Sequence, residues 1–214
     1  MGNEDHAEKH YLIFAGINGA GKSTLFRSNL WSSDLDLINM PRINSDEILA
    51  ARGGDWSNTG DQIAAGKEAI DLLRAYLSQG TSFNQETTLT GRSIIKHIKD
   101  ARALGYRITM YYVAVEDPEI ANRRISHRIQ IGGHGVDPQT VRRRAVASFD
   151  NLVEAIPLCN EVFLFDNTRL LALVARLSHN DLVQYSCENL DITWPDALMK
   201  RLIGQMDKPK EPFG

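Results

Sequence analysis

Strand and helix signals alternate as far as Asp166, a glycine-rich loop sits between the first strand and the first helix, and the pattern changes after Asn167. These observations predict an α/β fold: three α/β/α layers on a mainly parallel sheet, an arginine-rich helical lid, and a small C-terminal hairpin and helix. Residues 11–15 (YLIFA) form a short apolar run closed by Gly16, suited to a strand buried on both faces. Residues 22–30 read as a helix, and 37–43 as a weaker strand because Pro41 interrupts it. Ile63, Ile70, Leu73 and Leu77 share one face of a long helix that Gly80 stops. Residues 81–85 are a short strand, followed by a helix carrying Ile94, Ile95, Ile98 and Ala101 and ending at Gly105. Residues 106–115, rich in β-branched and aromatic side chains, give the clearest strand.

Asp117-Pro118-Glu119 starts a helix with a capping side chain, a first-turn proline and an acid at the positive end of the dipole. It runs to about Ile131, where Gly-Gly-His-Gly breaks it; Asp137-Pro138 starts the next, with Val141, Ala145, Phe149, Leu152 and Ile156 on one face. Residues 161–165 are a further strand. Residues 170–177 and 182–185 form a hairpin, and 195–203 a last helix. The expected organisation is a core over 1–168 with a lid at about 118–145, an extension over 169–206 and a flexible tail over 207–214.

The chain has 214 residues with a net charge of −3, which excludes a globally basic nucleic-acid binder. Two cysteines, Cys159 and Cys187, are too few for a disulfide scaffold, and no Cys/His metal spacing occurs. No apolar run approaches the roughly 20 residues that span a bilayer, and the polar start MGNEDHAEKH has no export signal. A soluble cytoplasmic protein without a membrane partner is expected.

Residues 16–23, Gly-Ile-Asn-Gly-Ala-Gly-Lys-Ser, match G-x-x-x-x-G-K-[ST] in full, after an apolar strand and before a helix. Glycines at 16, 19 and 21 let backbone N–H groups, including those of Asn18 and Ala20, converge on phosphates, and the helix N-terminus adds its dipole. Lys22 is expected to bridge the terminal phosphates of ATP, with Thr24 beside it, and Ser23 to offer its hydroxyl to Mg²⁺. The fold class is therefore P-loop NTPase-like.

Phosphoryl transfer to a hydroxyl also needs a carboxylate at the acceptor and cations around the moving group. Such groups belong at the strand ends on the loop side. Asp46, after the second strand, is the candidate base; a helix cap is its alternative role, with Ser45 competing. Glu86, after the third strand, suits a Mg²⁺-bound water or a substrate hydroxyl, or is a surface acid. Thr87 and Thr88 either bond substrate or cap the turn. Between Arg123 and Arg144 there are six arginines and one acid, Asp137, on both sides of the Gly-Gly-His-Gly break, as in a lid that closes over phosphates. Arg124 and Arg128 share a helix face. Arg142, Arg143 and Arg144 fan round their helix, so at least one is surface charge. No aromatic platform is interleaved with these arginines, which argues against nucleic acid. His134 is a substrate contact or a turn residue. Trp31, Trp56, Tyr111 and Tyr112 are expected to pack, and Asp166-Asn167-Thr168 closes a strand near the nucleotide.

The ordered set G-I-N-G-A-G-K-S-T, strand-end Asp46, E-T-T, R-I-S-H-R-I-Q-I-G-G-H-G-V, V-R-R-R and F-D-N-T resembles the zeta toxin family of P-loop kinases over residues 10–168. Characterised zeta toxins use ATP to phosphorylate the 3′-hydroxyl of the sugar in UDP-N-acetylglucosamine. The resemblance implies Lys22 and Ser23 for ATP and Mg²⁺, Asp46 as base, and Glu86 and Thr88 near a nucleotide-sugar. It implies Arg128 and one of Arg143 and Arg144 on the phosphates, with an antitoxin protein as a possible partner. The chain looks most like a compact branch of that family, often found without an antitoxin gene, but carries Ala145 and Ala147 where the branch has an aromatic and an arginine. Two other functions fit the motifs: a nucleoside or nucleotide kinase, and a non-catalytic nucleotide-gated binding protein. The guanine-reading NKxD motif of GTPase switches is absent.

Overall fold

The computed structural model describes residues 8–28, 39–133, 135–186 and 191–206. Seven strands form one sheet in the order β2-β3-β1-β4-β5-β6-β7. They are β1 (His10–Ala15), β2 (Arg42–Ile43), β3 (Phe83–Thr87), β4 (Arg107–Ala114), β5 (Glu161–Asp166), β6 (Ala172–Ser178) and β7 (Asp181–Tyr185). Strands β1 to β5 are parallel, β6 runs antiparallel to β5, and β7 runs antiparallel to β6. The helices are α1 (Lys22–Arg27), α2 (Ser45–Ala51), α3 (Thr59–Gln79), α4 (Arg92–Ala103), α5 (Pro118–Gln130), α6 (Pro138–Ala155) and α7 (Trp194–Met206).

Side-chain alternation along β1 explains the three layers. Tyr11, Ile13 and Ala15 enter one core with Leu73 of α3, Ile98 of α4 and Leu152 of α6. Leu12 and Phe14 enter the opposite core with Leu25 of α1, Ile125 of α5 and Phe165 of β5. Helix α6 contributes Val141 to the second core and Leu152 and Val153 to the first, so it passes from one face of the sheet to the other. That path carries its first two turns across the loop end of the sheet. The five parallel strands all present their carboxyl ends at this edge, where such sheets bind ligands.

Several local expectations shift. Within the described part of the expected 37–43 strand, only Arg42–Ile43 is a strand, because Pro41 cannot donate to a ladder, and residues 37 and 38 lie outside the described residues. The third runs two residues later than expected, which puts Glu86 inside β3. The helix after β2 starts at Ser45, and its cap is Asn44, whose side chain accepts from the Asp46 N–H at 2.9 Å. Helices α5 and α6 are capped by Asp117 and Asp137, each with proline in the first turn. The C-terminal hairpin continues the main sheet, with β6 pairing on β5 and a two-residue turn at His179 (φ 49°) and Asn180 (φ 75°). Trp31, Cys187, His134 and the tail over 207–214 lie outside the described residues.

Candidate active site

The phosphate loop is built by conformations that side chains disfavour. Gly16, Gly19 and Gly21 have φ of 135°, 78° and 113°. At Gly16 a Cβ would stand 2.2 Å from the Val113 carbonyl oxygen, so the loop lies directly on β4. Ala20 is fully buried, and its carbonyl accepts from Asn167 Nδ2 at 2.7 Å, which ties the loop to the end of β5.

Lys22 is 7% exposed. Its Nζ donates to the Ile17 carbonyl at 3.2 Å and lies 3.8 Å from Glu86 Oε1. Burial lowers its pKa, opposed by the nearby carboxylates of Glu86 and Asp46. Ser23 Oγ donates to Glu86, 3.1 and 3.2 Å from its two oxygens. Glu86 also accepts from Arg42 Nη2 at 2.7 Å and from Asn44 Nδ2 at 3.4 Å.

Two cavities meet at this cluster. The smaller, about 450 Å³, lies along the loop and α1 and is lined by Gly19, Gly21, Ser23, Thr24, Arg124 and Arg128. The larger, about 880 Å³, opens between α2, α3, the end of β3 and the start of α6. Asn18, Lys22, Asp46 and Glu86 line both. Gly16 and Ala20 line neither and shape the loop from behind.

The arginines divide between the cavities. Arg124 and Arg128 of α5 line the smaller. Arg124 Nη2 donates to the Asn167 carbonyl at 2.7 Å, while its Nη1 is buried with no hydrogen-bond partner among the described residues. An anionic ligand would satisfy that donor. Arg143 and Arg144 line the larger cavity, and Arg144 Nη1 donates to Asn18 Oδ1 at 2.6 Å, joining α6 to the loop. Burial lowers the Arg144 pKa against the opposing charge of Asp46. Arg142 is the surface member, paired at 2.6 Å with Glu119 on α5.

Thr87 and Thr88 line the larger cavity and also shape its turn. Thr87 Oγ1 accepts from the Leu89 N–H at 3.1 Å, and the Thr88 and Thr90 hydroxyls are 2.9 Å apart. Asp166 is a structural acid, accepting from Thr168 and from Trp194 Nε1, while Asn167 alone of that triplet lines a cavity. Sequence reasoning missed Arg42, Asn44, Gln62 and His97, and assigned Trp56 to packing; all of these but Arg42 line the larger cavity. A usable signal for Arg42 was the polar residue on either side of Ile43, at a strand end facing the loop.

The geometry can hold a triphosphate tail in a cradle that any Cβ at Gly16, Gly19 or Gly21 would disturb. The oxygens of Ser23 and Glu86 suit Mg²⁺, which takes one or two protein oxygens and draws the rest from phosphates and water. Among the described residues, no group of three or more His, Cys, Asp or Glu gathers as a self-sufficient metal site.

The fold and loop define a P-loop NTPase-like α/β protein. Its solved counterparts include a chain of the PezAT chromosomal toxin–antitoxin system of Streptococcus pneumoniae, with 18% identity, TM-score 0.55 and coverage of 97% of this chain and 91% of that one. They also include the AvrRxo1-ORF1:-ORF2 structure with ATP, at 15% identity and TM-score 0.64, covering 97% of this chain and 67% of that one. The chain shares the fold of these structures. By sequence, the chain belongs to one family with an uncharacterized protein of Haemophilus influenzae, 33% identical over 133 residues that make up 62% of this chain and 90% of that protein. No family model matches. No helix among the described residues is long and apolar enough to cross a membrane.

Proposed function

We propose that the chain is an ATP-dependent kinase that transfers the γ-phosphoryl group to a hydroxyl of a small molecule, with a UDP-activated sugar such as UDP-N-acetylglucosamine as the acceptor. The observation that carries this is the wall shared by the two cavities: Lys22, Asp46, Glu86 and Asn18 face both. A donor in the smaller cavity and an acceptor in the larger would meet at that wall, which supplies the proximity that phosphoryl transfer depends on.

In this reading Lys22 and the loop amides hold the triphosphate. Ser23, with Glu86 behind it, would hold Mg²⁺, which would supply charge neutralisation. Asp46 accepts the proton of the acceptor hydroxyl. The acceptor oxygen bonds to the γ-phosphorus as the bond to the ADP oxygen breaks, with Arg124 and Arg128 on the donor side and Arg143 and Arg144 on the acceptor side spreading the charge. Thr87 and Thr88 line the acceptor cavity, and His134 is kept as a candidate substrate contact. A catalytic core over 1–168, including the lid, with an extension over 169–206, is part of the same proposal, as are a cytoplasmic site of action and an antitoxin partner. The toxin–antitoxin setting of the Streptococcus pneumoniae counterpart supports that partner.

The test is incubation of the purified protein with ATP, Mg²⁺ and a panel of UDP-sugars, nucleosides and nucleoside monophosphates, read by mass spectrometry. A phosphate added to a UDP-sugar is the expected result. Product only on nucleosides or monophosphates replaces the acceptor class. No product anywhere, with ATP bound, overturns the kinase reading.

A further inference from the structure

Arg42 sits in none of the sequence motifs, yet three elements converge on it. Its Nη2 donates to Glu86 of β3 at 2.7 Å, its Nη1 to Asn84 Oδ1 of the same strand at 2.9 Å, and its Nε to Glu47 of α2 at 3.0 Å. The guanidinium carbon lies 3.8 Å above the ring of Phe26 on α1, the helix that carries Lys22 and Ser23. The Arg42 and Glu86 side chains are only 14% and 9% exposed. Asn84 is fully buried, with its amide donating to the Met40 and Pro41 carbonyls, so the acceptor for Nη1 is itself fixed. Planar fork geometry and stacking together call for arginine rather than lysine.

The partners of Glu86 divide into two kinds. Lys22 and Ser23 are groups that a bound nucleotide tail and its cation would recruit, whereas Arg42 and Asn44 line no part of the phosphate cradle. With the first pair drawn away, the Glu86 carboxylate would be nearly buried and held by the second pair alone, and a buried charge without a cationic partner is strongly disfavoured. We infer that Arg42 is a positioning residue: it fixes the Glu86 carboxylate behind Ser23, so that the cation-binding corner stays formed when Lys22 turns to the nucleotide. This rests on the kinase reading above but not on the identity of the acceptor.

The test uses the full chain without any acceptor and measures ATP binding by calorimetry, with and without Mg²⁺, together with the Mg²⁺ half-point at fixed ATP. Loss of an outer partner of a metal site costs about 10- to 100-fold in metal affinity. Arg42→Gln should therefore raise the Mg²⁺ half-point about tenfold or more while leaving Mg²⁺-free ATP binding within about threefold, with Arg42→Lys in between. A merely structural role would weaken both binding modes alike. An unshifted half-point in Arg42→Gln, or equal losses with and without Mg²⁺, overturns the inference. If Arg42→Gln does not fold, an Arg42→Lys half-point equal to wild type overturns it. Wild-type protein that binds no ATP brings down the kinase reading and this inference together; normal wild-type binding with an unshifted variant brings down the inference alone.

Discussion

Asp46 and the arginines of α6 carry the sharpest expectations at the scale of single residues. The cap of α2 is Asn44, which separates Asp46 from the bland role its position suggested and leaves its carboxylate on the wall common to both cavities. A positioned general base is worth about 10²- to 10⁴-fold in rate, so Asp46→Asn should lower turnover by that range while the ATP dissociation constant moves less than about threefold. Steady-state turnover beside calorimetric ATP binding decides it; retained turnover removes Asp46 from the chemistry. Arg142 and Arg144 give an internal control two positions apart. Arg142 pairs with Glu119 in solvent, whereas Arg144 reaches Asn18 from the larger cavity. Arg144→Ala should cost roughly 10²-fold in turnover, as loss of a preorganised charge donor does, and Arg142→Ala about twofold at most. Equal losses would place the two arginines on the same footing and contradict the geometry.

Strands and helices, taken one by one, show where sequence was informative and where it fell short. The motif at 16–23 and the proline-led starts at Asp117 and Asp137 were legible because each is a local device that acts within one turn of chain. The Arg42–Glu86 pair was not, because it joins residues 44 positions apart through the register of β2 on β3. The cap of α2 was ambiguous because Asn44, Ser45 and Asp46 are all capping types, and the backbone alone chooses among them. Glu86 was placed one element too late because β3 runs beyond its buried half: Phe83 and Asn84 are buried, while Gln85 to Thr87 are polar and partly exposed. The junction of β1 and β4 allows an element-level prediction. A Cβ at Gly16 meets the backbone of Val113, which cannot move without breaking the strand, and it also sits at φ 135°. Strain of this kind costs about 3 kcal/mol, so Gly16→Ala should lower stability by about that amount in denaturant unfolding and remove ATP binding. Helix α4 gives a pH effect. Burial lowers the His97 pKa, opposed by Asp100 and helped by Arg74 and Lys96. The unfolded chain then binds the extra proton between its own value near 6.5 and the lower folded value, so stability rises with pH across that window and falls on acidification. Melting temperature should drop as pH is taken from about 7 through that window. His97→Gln should flatten part of the slope; His10, also lowered by burial, retains the rest. An unchanged slope in His97→Gln would exclude that imidazole as a source.

On the scale of the whole molecule, the two cavities are covered by one continuous device. Helix α5 supplies Arg124 and Arg128 to the smaller cavity, and α6 supplies Arg143 and Arg144 to the larger. The two helices pack on each other and join through residues 131–137, and α6 is anchored at its far end in the opposite core through Leu152 and Val153. If the two helices act as a lid, as proposed above, a ligand in one cavity is expected to order one arm, and ligands in both to order α5 and the start of α6 together. Ligand binding alone stabilises by mass action, about 2.7 kcal/mol at a hundredfold excess over the dissociation constant. For a chain of this length that is a rise of roughly 5–10 °C in melting temperature. Coupling through the lid predicts more. With a non-hydrolysable ATP analogue, Mg²⁺ and the acceptor found by the panel, amide exchange in peptides covering 125–144 should slow beyond the sum of the two single-ligand effects. Peptides from β1 and β4, buried in either state, should report only global stabilisation. Hydrogen exchange read by mass spectrometry separates these outcomes. Full protection of 125–144 by the nucleotide alone would mean that α5 and α6 close as one rigid piece, and the acceptor would then have to enter before the nucleotide or beneath a lid already shut.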